Sequence, residues 1–170
     1  MTRGIKRNVA SEVRSLHRDK NKWTEAQGNL EFKSGKCGLP KSLWESYSAF
    51  ANTNGGIIIV GVDAKGQPED VPGIISYREE FINILSSGTK CNVVLTEAED
   101  ISFVELKGKE VLAIRVNAAS VSQKPVYLDG KVHKCYIRVG EGDRLCVPEE
   151  LGRMLRDKDV VTSSYSADAD

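Results

Sequence analysis

Little in this chain of 170 residues announces a chemistry. It has two histidines, His17 and His133, and neither stands in a motif, so a Ser-His-Asp or Cys-His catalytic arrangement has no support. Its four cysteines, Cys37, Cys91, Cys135 and Cys146, form no C-x-x-C pair and read as reduced thiols, not as a disulfide frame. His133 with Cys135 and Cys146 lacks the ligand spacing of a zinc site. No apolar run is long enough to cross a bilayer and no secretory signal opens the sequence, which points to a cytoplasmic protein with no membrane partner. A P-loop is missing too. Gly35-Lys36 is followed by Cys37, and Gly28 lies too far upstream for G-x-x-x-x-G-K-[S/T]. Gly140-Glu141-Gly142 lacks the third glycine of a dinucleotide fingerprint. The net charge is zero, which excludes a dedicated, strongly basic nucleic-acid binder.

That neutrality is unevenly spread. Residues 1–41 hold ten Lys/Arg against four Asp/Glu, so they carry +6 and the remainder −6. The asymmetry predicts one positive region, with a solvated N-terminal helix as the plainer account. Length and composition are those of one soluble domain with a sizeable core.

The stretch 39–63 organises the rest. Pro40 suits a first helical position, and Leu43, Trp44, Tyr47, Phe50 and Ala51 recur at helical spacing. Gly55-Gly56 marks the helix end. Ile57, Ile58, Ile59, Val60 and Val62 then predict a strand covered on both faces, closed by Asp63. Upstream, Val9, Val13 and Leu16 predict an amphipathic helix over 8–18 behind a basic arm, residues 1–7. Leu30-Glu31-Phe32-Lys33 alternates as a short strand. Strand, helix and strand then make a βαβ unit, which brings Glu31 and Asp63 toward one another.

Downstream, a helix is predicted over 76–87 and strands over 93–95, 101–106 and 111–117. Another pair, 125–128 and 133–139, flanks the Asp129-Gly130 turn. In that last strand Lys134, Tyr136 and Arg138 share a face, read either as a wet sheet surface or as a nucleic-acid surface. A polarised helix opens at Pro148, with Leu151, Met154 and Leu155 as its buried side, and 162–170 reads as a solvated tail. The fold class expected is mixed α/β: a central mixed sheet with a βαβ unit, antiparallel hairpins and helices on its faces. The domain plan is a basic arm and helix over 1–21, one domain over 22–159, and a linker over 160–170 leading to further domains.

Several residues could carry chemistry. Glu31 and Asp63, with Glu25 as a third, are the carboxylates that could hold Mg²⁺ or Mn²⁺ against a phosphodiester. The plainer account is a Glu31–Lys33 surface pair and an aspartate ending a strand. Gly55 and Gly56 could offer backbone N–H groups to an anion, though helix termination explains them equally.

Taken together, Leu30-Glu31-Phe32-Lys33, Ala49-Phe50-Ala51-Asn52-Thr53-x-Gly55-Gly56, Gly61-Val62-Asp63, Lys124-Pro125-Val126-Tyr127, Tyr136-Ile137-Arg138 and the Gly142-Asp143 turn resemble the Schlafen AlbA-type DNA-binding domain, also called the divergent AAA-type domain. The resemblance covers roughly 22 to 157. It implies a bacterial N-terminal module of a transcriptional regulator, or of a protein termed ATP-binding, that contacts DNA or structured RNA. Phosphate contacts are then expected from Lys33, Lys36, Lys41, Arg138 and Arg144 with the basic helix. The alternative it implies is the metal-dependent endoribonuclease of the Schlafen branch, with Glu31 and Asp63 as matching carboxylates. That branch's first acid falls on Ala26 here, one position from Glu25. A nucleotide-binding or dimerisation module, acting as a homodimer, is the third reading.

Overall fold

The computed structural model describes residues 7–168. In chain order the elements are α1 (Val9–Arg18), β1 (Leu30–Lys33), α2 (Leu43–Asn52), β2 (Gly56–Val60), α3 (Ile75–Ser87), β3 (Ile101–Leu106), β4 (Lys109–Val116), β5 (Tyr127–Leu128), β6 (Lys131–Val139), β7 (Gly142–Leu145) and α4 (Pro148–Asp168). The basic arm expected at the start, apart from Arg7, lies outside the described residues.

The first four strands form a mixed sheet in the order β1-β2-β4-β3. β1 and β2 run parallel, with Glu31 opposite Ile58 and Lys33 opposite Val60, so the βαβ unit is present. Alternation divides the sheet's side chains between two cores. Leu30, Phe32, Ile57 and Ile59 face α1, packing with Val9 and Val13. Ile58, Val60, Leu112 and Ile114 face α2 and α3. α1 starts where Asn8 Oδ1 accepts from the N–H groups of Ala10 and Ser11. Full burial of Val9 and Val13 then contributes roughly 1.5–3 kcal/mol each, which holds so short a helix in place.

α2 is the central element, and every residue in it except Glu45 is buried. It begins three residues after Pro40, not at it. Leu43 N–H donates to the Pro40 carbonyl and Trp44 N–H to that of Lys41, so Pro40 opens a lead-in turn. One side of α2 rests on the mixed sheet and the other on a three-stranded antiparallel sheet, β5-β6-β7. The polar residues of α2 tie it to that second sheet. Ser48 Oγ donates to the Val126 carbonyl at 2.8 Å and accepts from Tyr136 N–H at 3.0 Å. Asn52 Nδ2 donates to the carbonyls of Val126 (2.9 Å) and Tyr136 (2.8 Å), while its Oδ1 accepts from Val126 N–H at 2.9 Å. Buried polar atoms survive in a core because they are paired in this way.

Both expected tight turns are present, with Lys107-Gly108 and Asp129-Gly130 each in left-handed backbone. Three details differ from the sequence reading. Residues 93–95 form no strand; the region meets the second sheet through an isolated bridge from Cys91 to Leu128 and through Asn92, whose Oδ1 accepts from Tyr127 N–H at 2.7 Å. β7 forms where a turn alone was expected. α4 continues to Asp168, through the segment read as a tail, because no Gly or Pro after Gly152 stops it. Of the side expected to be buried, Leu151 and Met154 are half-buried and Leu155 is exposed.

Candidate nucleic-acid interface

The parallel pairing sets Glu31 and Lys33 on the α2 side of β1, facing the β6–β7 hairpin. Arg138 reaches inward from β6 and holds this junction together. Its side chain is 3% exposed. Nη1 lies 2.5 Å from Glu31 Oε2 and 2.7 Å from Asp143 Oδ1, and Nη2 donates to the Leu30 carbonyl at 3.1 Å. The guanidinium also stacks over the Phe50 ring, 4.7 Å from its centroid. Burial presses the Arg138 pKa down, but Asp143 and Glu31 together raise it above the ordinary arginine value. Arg138 therefore does not lie on a wet sheet face. It is a buried cation clamping two strands of different sheets, and the face it shares with Tyr136 is turned toward α2.

Lys33 completes the junction: Nζ donates to Ser42 Oγ at 3.0 Å and sits 3.5 Å from Glu31 Oε1. Both oxygens of Glu31 thus face cations. Glu25, the first residue of a short 3₁₀ turn ahead of β1, accepts from Phe32 N–H at 3.0 Å. Its pKa is raised, first by burial and then by the neighbouring Glu31, against the opposing pull of the Phe32 N–H. Glu25 and Glu31 are therefore close electrostatic neighbours.

Asp63 has different company. It is exposed, and its Oδ1 accepts from the N–H groups of Lys65 and Gln67, both at 2.9 Å, closing its own turn. The Gln67 N–H is the main cause of its lowered pKa, with Lys65 N–H and the charges of Lys65 and Lys36 adding to it against slight desolvation. Among the described residues no group of three or more His, Cys, Asp or Glu side chains is placed to hold a metal ion.

The other cations divide by availability. Lys36 and Lys41 are exposed and make no ion pair among the described residues. Arg144 is also exposed, but its two terminal nitrogens fork onto Glu150 at 3.1 and 2.9 Å. The Gly55 N–H is already engaged, donating to the Phe50 carbonyl at 2.8 Å. Packing requires both glycines here. A Cβ on Gly55, at φ 75°, would lie 2.8 Å from the Val116 carbonyl, and one on Gly56 would lie 2.5 Å from the Phe50 ring.

Asp143, read from the sequence only as part of a turn, and Ser46, whose Oγ donates to Asp143 Oδ2 at 2.6 Å, were not expected at the site. A signal existed: closing the hairpin at residues 140–141 puts Asp143 directly opposite Arg138, and opposite charges facing across strands attract.

The family model described as Schlafen, AlbA_2 matches residues 21–147. Among solved structures, the chain resembles the N-terminal domain of a RecG-related protein from Nitrosomonas europaea, named for an ATP-dependent DNA helicase. Identity is 26%, the TM-score 0.51, and the match covers 84% of this chain and 95% of that one. It also shares its fold with the DIP2311 protein from Corynebacterium diphtheriae, at 22% identity and a TM-score of 0.57, covering 87% of this chain but 28% of that one. No curated protein matches the chain. The buried junction of β1, α2 and the β6–β7 hairpin falls inside the matched span, and the chain belongs to the Schlafen AlbA_2 family.

Proposed function

We propose that this domain is a nucleic-acid-binding module that contacts phosphates without cleaving them, and that it serves a larger bacterial transcriptional regulator through its other domains. The observation that carries the reading is the state of its charges. The signature carboxylate Glu31 is neutralised from inside by Arg138 and Lys33, while Lys36 and Lys41 remain exposed and unpaired at the rim where β1 and β2 end. The similarity to a domain of a protein named for a DNA helicase supports the same reading. A neutral domain should bind weakly, with Kd about 10⁻⁴–10⁻⁶ M, and lose affinity steeply between about 50 and 200 mM salt. Fluorescence anisotropy with labelled duplex DNA and a structured RNA tests this. Binding that is flat with salt, or absent, overturns it.

One observation favours a second reading. The closeness of Glu25 and Glu31 is what a carboxylate-metal endoribonuclease needs, with Asp63 as the third acid. The residues as arranged do not fit that metal: Arg138 and Lys33 face the Glu31 oxygens, and Asp63 is bonded into its own turn. Incubation of structured RNA with the protein and Mn²⁺, beside Glu31→Gln, separates the two readings. Cleavage that Glu31→Gln abolishes would favour the nuclease.

A further inference from the structure

Three separated segments converge on the α1 side of the mixed sheet to form a cleft of about 430 Å³, lined by His17, Arg18, Lys20, Trp23, Lys65, Gln67 and Lys107. No carboxylate lines it. Arg18 and Lys20 come from the end of α1 and the residues after it, Lys65 from the Asp63 turn, and Lys107 from the β3–β4 turn. All four of these cations are exposed, and none forms an ion pair among the described residues.

The walls are fixed by contacts that leave the charges free. Trp23 Nε1 donates to the Gly66 carbonyl at 2.9 Å, and its ring meets His17 edge-on at 5.0 Å and Phe32 at 5.1 Å. Lys107 Nζ donates to Gln67 Oε1 at 2.9 Å, a neutral partner that positions the ammonium without cancelling it. Four like charges brought together by folding repel one another, and an anion is what relieves them. His17 registers the field: its pKa is lowered by burial first and by Lys107 second.

We infer that this cleft is the main phosphate-binding surface of the domain, and that it takes the backbone of a nucleic-acid strand. The inference rests on the nucleic-acid reading above and relocates its contacts. Of the cations read from the sequence, Lys33, Lys36 and Lys41 lie ahead of α2, whereas this cleft, which includes Arg18 of the basic helix, lies on the other face of the sheet and meets them at Asp63, which feels both Lys36 and Lys65. A polymer suits the cleft better than a small anion. Its cations are spread over three segments with no buried cation at the centre, as in grooves that follow a phosphate chain.

The test uses the whole chain, with labelled single-stranded DNA, duplex DNA and an RNA hairpin read by anisotropy over a salt series. The double variant Lys65→Glu/Lys107→Glu should weaken binding about tenfold or more and lower the slope of log K against log salt by about two. Lys131→Glu, an exposed cation on β6 in the second sheet, should change the affinity by much less. Melting temperatures near that of the parent exclude unfolding as the cause. In parallel, the His17 ring resonances should titrate at higher pH with the nucleic acid bound. If the parent binds and the double variant binds equally, this surface is wrong and the nucleic-acid reading stands. If the parent binds none of the three probes, both fail together.

Discussion

Replacing Arg138 by Met keeps most of the side chain's length and apolar volume while removing its charge and five donors. In the parent, the guanidinium meets Glu31 at 2.5 Å and Asp143 at 2.7 Å, and both carboxylate side chains are only 13% exposed. The variant leaves two sheltered carboxylates facing each other, with Lys33 near Glu31 alone. Breaking a buried ion pair from one side costs about 3–5 kcal/mol, chiefly because the remaining charge is stranded. Losses on that scale consume a large part of a typical domain's stability of about 5–15 kcal/mol. Equilibrium urea unfolding at 25 °C is the assay, with Glu31→Gln, Asp143→Asn and the triple change measured alongside. The triple change should recover much of the loss, since nothing charged is left unpaired. The deficit of the single variant should also shrink on acidification, as protonation removes the stranded charge. A loss under about 1 kcal/mol for Arg138→Met at neutral pH would refute the reasoning, because a surface pair costs no more than that.

Three further outcomes follow from the same geometry. Glu25→Gln keeps an oxygen for Phe32 N–H and removes the charge beside Glu31. A carboxyl whose folded pKa is raised contributes stability below its unfolded pKa and loses it as pH rises through the folded value, so the variant should gain on the parent at neutral pH and not at acid pH, read by urea midpoints at both. Gly66→Ala should destabilise by about 2–4 kcal/mol, because Gly66 sits at φ 80° and its Cβ would lie 2.4 Å from Trp23 Nε1; an unchanged melting temperature would contradict it. Asn52→Ala strips the partners from Val126 N–H and the Tyr136 carbonyl and leaves the Val126 carbonyl to Ser48 alone, with a cost of about 2–4 kcal/mol by urea unfolding and faster amide exchange in β6.

How far the sequence was legible depends on whether the deciding interaction was local. The β-branched run after Gly56 and the alternation of Leu30 to Lys33 specified two strands, and the intervening helix made them parallel. Left-handed turns at Asp129-Gly130 and Lys107-Gly108 are equally local and were readable. Arg138 was not. Period-two alternation put it beside Lys134 and Tyr136, but which way that face turned was decided by α2, whose polar Ser48 and Asn52 draw β6 onto it. Asp63 lies at the strand end as expected, yet the next four residues fold back to satisfy its carboxylate. The basic cleft is less legible still, because Lys20, Lys65 and Lys107 are scattered lysines until the sheet brings their loops together.

The motif residues also set a limit on what family membership conveys. Phe50 lies under the Arg138 guanidinium, Asn52 joins α2 to β6 and to Val126 just ahead of β5, Thr53 Oγ1 accepts from Arg138 N–H at 2.9 Å, and Gly56 leaves room for the Phe50 ring. Glu31 is the partner of Arg138, and Asp63 ties a turn. Each of these six positions has architectural work sufficient to explain its identity. A matching signature therefore vouches for the α2 sandwich and its β6–β7 hairpin, and is silent on whether the same carboxylates meet a metal or a phosphate. Function in such a fold is set by what the scaffold displays. Here the scaffold neutralises Glu31, ties exposed Asp63 into its own turn, and displays unpaired cations around the loops that follow α1, β1 and β2. That arrangement supports the proposed binding of a polyanion, and a hydrolase would need Glu31 released from Arg138 before it could act.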